Sequence, residues 1–162
     1  DSAVTHPVGR VDPDVRRLLA CTSDVLALAI TLMGVHDRWS DVATEMATFV
    51  RDQGFSVVAV SLKKKIGRSM HEDPQVPNFC TPAFRRNHDF TIEPGLVIAV
   101  EPMVNMGSKK VRVLADHWTQ ATVDGKPSAH FEHTVAITEG GPVVLTAPPA
   151  QGETVASADP AA

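Results

Sequence analysis

Long apolar runs and disulfide-forming cysteines are both scarce in this 162-residue sequence. No run approaches the roughly 20 residues of a membrane-spanning helix and no secretory leader is visible, so we expect no membrane partner. Two cysteines, Cys21 and Cys80, are too few for a disulfide framework, which favours a reducing compartment. The net charge of −4, with one basic run of three lysines, argues against a nucleic-acid-binding surface.

The length suits a single domain with a hydrophobic core. Residues 1–146 carry the periodic apolar patterns, whereas residues 147–162 are rich in Ala, Pro and Ser and hold too little apolar surface to fold. We therefore predict one folded domain over 1–146 and a disordered tail over 147–162. Because the chain opens at Asp1 without a Met, we expect a fragment or a trimmed form.

Two helices are predicted in the first third of the chain. Asp12 is a suitable N-cap and Pro13 suits the first helical position, after which apolar residues recur every three or four positions until Gly34. Ser40 is the predicted cap of a second helix, which Gly54 stops.

The rest of the chain is mostly strand and loop. Residues 63–95 are rich in Pro, Asn and Arg and are predicted to be mostly loop. Asp124–Gly125 is a hairpin turn signal. Helices followed by a mostly antiparallel sheet predict the α+β class. Strands are predicted from β-branched or alternating residues at 55–62, 96–104, 111–114, 118–123, 129–138 and 143–146.

The predicted site is centred on residues 66–78, where two prolines stiffen a loop that carries His71. Glu101 ends an apolar strand and Glu132 lies in mid-strand, so both can face this loop; the alternative is that they face solvent. Two converging carboxylates repel unless a cation or a shared proton lies between them, and carboxylates with a histidine suit a divalent metal ion. Five other histidines show no ligand spacing and are predicted to be surface or packing residues: His6, His36, His88, His117 and His130.

Five segments resemble the motifs of type I methionine aminopeptidases in order and spacing: residues 66–78, 91–95, 100–105, 116–119 and 131–134. The resemblance covers residues 1 to about 145. It implies a partial pita-bread fold, in which helices lie outside a curved, mostly antiparallel sheet. It also implies removal of an initiator methionine by two divalent metal ions (Co, Mn, Fe, Zn or Mg).

The resemblance further implies roles for individual residues. Asp1, Glu101 and Glu132 are metal ligands, and Glu101 also moves protons. His71 contacts the scissile carbonyl. The pocket for the substrate methionine side chain is walled by Met70 and Trp118.

Lys64 departs from the family pattern because it stands where the family has a histidine ligand. An ammonium group has no lone pair and repels a metal ion. A further Asp ligand lies upstream of Asp1 in the family, so the site is predicted to lack two metal ligands. The remaining carboxylates favour Mg²⁺ or Mn²⁺. Alternatively, the Lys64 ammonium takes the place of the metal charge.

The unfamiliar residues are clustered at 59–65, and less clearly at 31–37, while the flanking segments keep the family's spacing. Two hypotheses explain this: compensated reading-frame errors, or a change that removes the metal. Resequencing the source DNA distinguishes them.

The predicted function is that of a cytosolic processing enzyme acting on peptide and nascent-protein N-termini, with the ribosome as a partner and reduced activity in this chain. The alternative is a non-catalytic pita-bread module that binds peptides, histones or the ribosome. A related Xaa-Pro peptidase is disfavoured because the motif at residues 70–78 is characteristic of the methionine branch.

Overall fold

The computed structural model describes residues 1–58 and 73–148. The helices in these ranges are α1 (Pro13–Leu32), α2 (Trp39–Asp52) and α3 (Pro82–Asn87). The strands are β1 (Ser2–Ala3), β2 (Ser56–Val57), β3 (Val97–Val100), β4 (Met103–Asn105), β5 (Val111–Val113), β6 (Gln120–Thr122), β7 (Ser128–His130), β8 (Glu132–Thr138) and β9 (Gly141–Val144).

Helix α1 begins where the sequence predicts. The side chain of Asp12 accepts a hydrogen bond from the Asp14 backbone N–H at 2.8 Å, and Pro13 occupies the first turn. The helix ends at Leu32, and Gly34 lies in the turn that follows. The predicted apolar face is confirmed, since Leu18, Val25 and Ala29 are buried.

The start of α2 corrects the prediction that Ser40 is its cap. The helix begins at Trp39 and its N-cap is Arg38, whose side chain makes no capping hydrogen bond. The capping acceptor instead comes from Asp89, whose Oδ1 accepts from the Ser40 backbone N–H at 2.9 Å. A local sequence pattern does not reveal an acceptor so far along the chain.

Helix α3 interrupts the stretch predicted to be loop. Thr81 is its N-cap and accepts from the Phe84 N–H at 3.0 Å, and Pro82 opens the helix. A capping residue followed by Pro starts both helices, as Asp-Pro in α1 and as Thr-Pro in α3. The start of α3 was therefore predictable from the sequence.

The strands in the described part of the chain form three antiparallel sheets. Strand β8 is central to the first, with β3 on one edge and both β1 and β9 on the other. Strands β2, β4 and β7 form the second sheet, and β5 and β6 form a separate two-stranded ribbon. The turn at Asp124–Gly125 joins β6 to β7, which lie in different sheets, so the hairpin predicted there is wrong.

Two predicted strands are each split in the structure. The one over residues 96–104 becomes β3 and β4, because Pro102 has no N–H to continue the ladder. The one over residues 129–138 becomes β7 and β8, separated by Phe131. The strand predicted over 55–62 is described only as far as β2, since residues 59–62 lie outside the described ranges.

The helices and sheets share one hydrophobic core. Each buried Val, Leu or Met side chain contributes about 1.5–3 kcal/mol relative to exposure. The members contributed by α1, α2 and the strands include Leu18, Val25, Ala29, Val42, Met46, Val50, Ile98, Val100, Val104 and Val135. Within the described ranges, no helix has the length and apolar character needed to cross a bilayer.

Candidate metal centre

The chain passes twice, side by side, from one sheet to the other. The first crossing is at Glu101–Pro102, between β3 and β4, and the second is at Phe131, between β7 and β8. The crossings face each other because Val100 pairs with His133 on one side and Met103 with His130 on the other. We call this place the sheet junction.

Among residues 1–58 and 73–148, three side chains that can bind a metal meet at the sheet junction: Glu101, His130 and Glu132. One ligand atom from each lies within 4.8 Å of the other two. Each glutamate is 2% exposed, whereas the imidazole of His130 is 37% exposed. Nε2 of His130 lies 3.6 Å from Oε2 of Glu101 and 3.9 Å from Oε2 of Glu132.

Backbone contacts fix the ends of these strands. The amide of Asn78 donates to the Glu101 carbonyl at 2.8 Å, within the protein interior. The hydroxyl of Thr5 donates to the His130 carbonyl at 2.7 Å and accepts from the His130 N–H at 3.0 Å. The carbonyl of Pro77, the residue before Asn78, accepts a hydrogen bond from the indole N–H of Trp39 at 2.9 Å. The end of the predicted rigid loop is thus tied both to the core and to the junction.

The chemistry of this group fits a divalent cation. Moving two carboxylates out of water is unfavourable unless positive charge or hydrogen bonds compensate. Carboxylate oxygens and an imidazole nitrogen are ordinary ligands of divalent metal ions. Glu101 and Glu132, which the sequence proposes as ligands, therefore lie together in a place where a metal would offset their charge.

Asp1, the third predicted ligand, lies beside this group without being one of its three members. It is exposed, and its backbone exchanges hydrogen bonds with Thr134 Oγ1, each of 2.8 Å. Ala3 is paired with Glu132, and side chains two apart on a strand share a face. Asp1 is therefore directed to the face that carries Glu132, and its role as a ligand stays a prediction.

Trp118, the predicted pocket residue, lies on the connection between β5 and β6. Its indole is 87% exposed, and its backbone N–H donates to Asp116 Oδ1 at 3.0 Å. The pocket role stays a prediction. Three more predicted residues lie outside the described ranges: Lys64, Met70 and His71.

His130 is the residue that the sequence analysis missed. Although predicted to be a surface or packing residue, it lies beside two buried carboxylates, with its imidazole 37% exposed. The sequence carries one signal, the two-residue spacing of His130 and Glu132, which a continuous strand would place on one face. Local spacing does not link His130 to its other partner, Glu101, because Glu101 is distant in sequence.

An apolar cavity of about 730 Å³ adjoins Glu132 on the α1 side of the first sheet. Its lining includes Leu26 and Ile30 of α1 together with Phe131 and Val144. Of Glu101, His130 and Glu132, only Glu132 lines this cavity.

Residues 1–139 match the profile of metallopeptidase family M24. The chain belongs to this family. The methionine aminopeptidase 1 of Bacillus subtilis is 44% identical to this M24 chain over 146 residues, which are 90% of the chain and 57% of that protein. The methionine aminopeptidase of Clostridium perfringens is 42% identical, with the same two coverages.

Solved structures agree with this assignment. The crystal structure of methionine aminopeptidase from Thermotoga maritima superposes with a TM-score of 0.82 at 40% identity, covering 90% of the M24 chain and 57% of its own. Prolidase from Pyrococcus furiosus has a TM-score of 0.64 at 17% identity, which shows the shared fold alone. The predicted α+β pita-bread fold and the resemblance to methionine aminopeptidases are confirmed. The chain spans 57% of the length of the first relatives that it matches.

Proposed function

We propose that this M24 chain forms the metal-binding part of a methionine aminopeptidase, which hydrolyses the bond after an N-terminal methionine in peptides and nascent proteins. The observation that supports it best is the pair of carboxylates, Glu101 and Glu132, each 2% exposed and adjacent at the sheet junction. The relatives at 42–44% identity are methionine aminopeptidases, which supports the substrate class.

Glu101, Glu132 and Asp1 would hold the divalent ions. Such ions, when bound, lower the pKa of a coordinated water and polarise the scissile carbonyl. Glu101 accepts the proton of the attacking water on a carboxylate oxygen and delivers it to the leaving amine. The burial of Glu132 strengthens the electrostatic effect of its carboxylate on the reacting groups.

The remaining roles concern the substrate. His71 donates a hydrogen bond to the scissile carbonyl, where charge develops during the reaction. Met70 and Trp118 contact the methionine side chain. An apolar pocket of this kind discriminates only modestly between side chains that differ by one small group. Lys64 cannot ligate a metal while it is protonated, which lowers affinity for the second ion. We further propose that the protein is cytoplasmic and acts on chains as they emerge from the ribosome.

The decisive experiment is release of methionine from a Met-Ala-Ser peptide by the whole chain, with Mn²⁺ or Co²⁺ and after chelation. We expect metal-dependent release that Glu101→Gln reduces by a factor of about 100 or more, the usual range for loss of a general base. Glu93→Gln is the matched control because Glu93 is an exposed glutamate outside the junction.

The same peptide assay can also contradict the proposal. If the chain binds the peptide without metal and releases no methionine with either ion, the enzymatic proposal is wrong. That outcome supports the alternative, a non-catalytic module that binds peptides.

A further inference from the structure

We infer that His130 is itself a metal ligand, so that the junction binds a divalent ion through two carboxylate oxygens and one imidazole nitrogen. The inference rests on the proposed function to the extent that both require a metal between Glu101 and Glu132. It goes further in adding a nitrogen ligand to a set that the sequence analysis describes as carboxylates only.

The distances favour a shared ion over a direct hydrogen bond. Hydrogen bonds between a charged nitrogen and a carboxylate oxygen are about 2.7–2.9 Å long. The separations from His130 Nε2, 3.6 Å to Glu101 and 3.9 Å to Glu132, are well beyond that range. Two ligand atoms that each lie about 2.1 Å from one ion are themselves about 3–4 Å apart. Both separations from Nε2 therefore fall in the range expected for ligands of a common ion.

The Nε2 atom of His130 is directed away from solvent. Although the imidazole is 37% exposed as a whole, its Nε2 atom is buried. Among residues 1–58 and 73–148, Nε2 has no hydrogen-bond partner. A buried polar atom of this kind normally has a partner, and a bound ion is one explanation of an apparent exception.

Hydrogen bonds hold both backbone polar groups of His130 in place. The hydroxyl of Thr5 bonds both the N–H and the carbonyl of His130. Met103, on the neighbouring strand, is its pairing partner, and Glu132 follows two positions later with its carboxylate Oε2 3.9 Å from Nε2. Fixing the backbone on both sides reduces the conformational entropy lost when the ring binds an ion.

A nitrogen ligand changes which metal the site selects. Two ionised carboxylates and a neutral imidazole balance the charge of one divalent ion. Imidazole suits Zn²⁺, Fe²⁺ and Co²⁺ better than Mg²⁺, which prefers oxygen ligands. We therefore expect the junction to prefer transition metals, in contrast to the Mg²⁺ or Mn²⁺ favoured by carboxylates alone.

The test uses Co²⁺ titrated into the whole chain, followed by calorimetry and by visible absorption. His130→Gln removes the nitrogen ligand. Substitution of a residue that only orients a ligand lowers affinity by about 10–100-fold, so this variant should lose at least about tenfold in Co²⁺ affinity. His88→Gln is the matched control, since His88 is an exposed histidine at the end of α3.

A second variant guards against misfolding as the cause of a loss. His130→Cys places a thiolate where the imidazole was, and a thiolate bound to Co²⁺ gives an intense charge-transfer absorption in the near ultraviolet. We expect this band in His130→Cys and not in the wild type, whose own thiols are Cys21 and Cys80, nor in His88→Cys. The appearance of a new band demonstrates ligation directly.

The outcomes separate this inference from the proposed function. If Co²⁺ binds the wild type and His130→Gln equally, and His130→Cys gives no band, then His130 is not a ligand, while the carboxylate site and the peptidase proposal stand. If the wild type binds no Co²⁺, the ligand inference is wrong, and the peptide assay decides the peptidase proposal independently.

Discussion

The carboxylate of Asp89 accepts hydrogen bonds from the Ser40 backbone N–H at 2.9 Å and from Arg38 Nε at 3.0 Å. Burial alone would raise the pKa of Asp89, but the hydrogen bonds from Ser40 and Arg38 outweigh burial and hold that pKa below its ordinary value of 3.8. A residue distant in sequence thus caps α2 and joins it to the chain segment that follows α3.

Asp89→Asn should lower the free energy of unfolding by about 1–2 kcal/mol at pH 7, because it removes a charged cap. A group whose pKa is lowered in the folded state stabilises it above the unfolded pKa, and that contribution is lost as the pH falls through the folded pKa. The difference between wild type and variant should therefore decline as the pH falls below 3.8 and through the lowered folded pKa, in urea unfolding followed over pH.

The control for this measurement is Asp52→Asn, since Asp52 is exposed at the end of α2. A pH-independent difference between Asp89→Asn and the wild type would contradict the capping role.

The two cysteines differ in reactivity for a physical reason. Burial, followed by the charge of Asp24, raises the pKa of Cys21 to about 11. Only about one Cys21 thiol in a thousand is then ionised at pH 8, and the thiolate is the nucleophile. We expect a maleimide reagent to label one site rapidly, the half-buried Cys80, and mass spectrometry of Cys80→Ser to show that rapid labelling has gone. Equal labelling of Cys21 in the folded protein would be the contrary result.

The start of helix α2 contacts the loop that leads to the sheet junction. Trp39 is fully buried, stacks on Phe90 with ring centres 5.9 Å apart, and donates its indole N–H to Pro77. Trp39→Phe leaves that carbonyl unpaired, so we expect a loss of about 2–3 kcal/mol in urea unfolding. Trp118→Phe is the matched control: its indole is 87% exposed, and a change within about 0.5 kcal/mol is expected.

The elements also show what the sequence can and cannot predict. Helix α1 was predictable because its cap and apolar period are local. The α2 cap was not, because its acceptor is Asp89. The break at Pro102 was predictable from the missing N–H, whereas the transfer of the chain between sheets there was not, because strand partners are chosen by long-range packing. Likewise, Glu101 and Glu132 were identifiable as candidates, but their union with His130 depends on the pairing of two distant strand ends.

For the whole molecule, a metal that binds the folded chain must stabilise it by mass action. At a free Mn²⁺ or Co²⁺ concentration 100 times the dissociation constant, the gain is about 2.7 kcal/mol. We expect thermal unfolding to shift upward with the metal and return with a chelator. The shift should be lost in Glu132→Gln and kept in Glu139→Gln, an exposed glutamate just past β8. An equal shift in both variants would place the metal elsewhere.

The ribbon of β5 and β6 is not paired with either of the other two sheets, and the chain at its base is held together by the hydrogen bond from the Met106 N–H to the Pro127 carbonyl, 2.9 Å long. Its two ends leave and re-enter the second sheet at adjacent points, so its length does not alter the strand register at Glu101 or Glu132. We therefore expect the tip of the ribbon, where Trp118 lies, to tolerate insertion or replacement while Glu101 and Glu132 keep their positions.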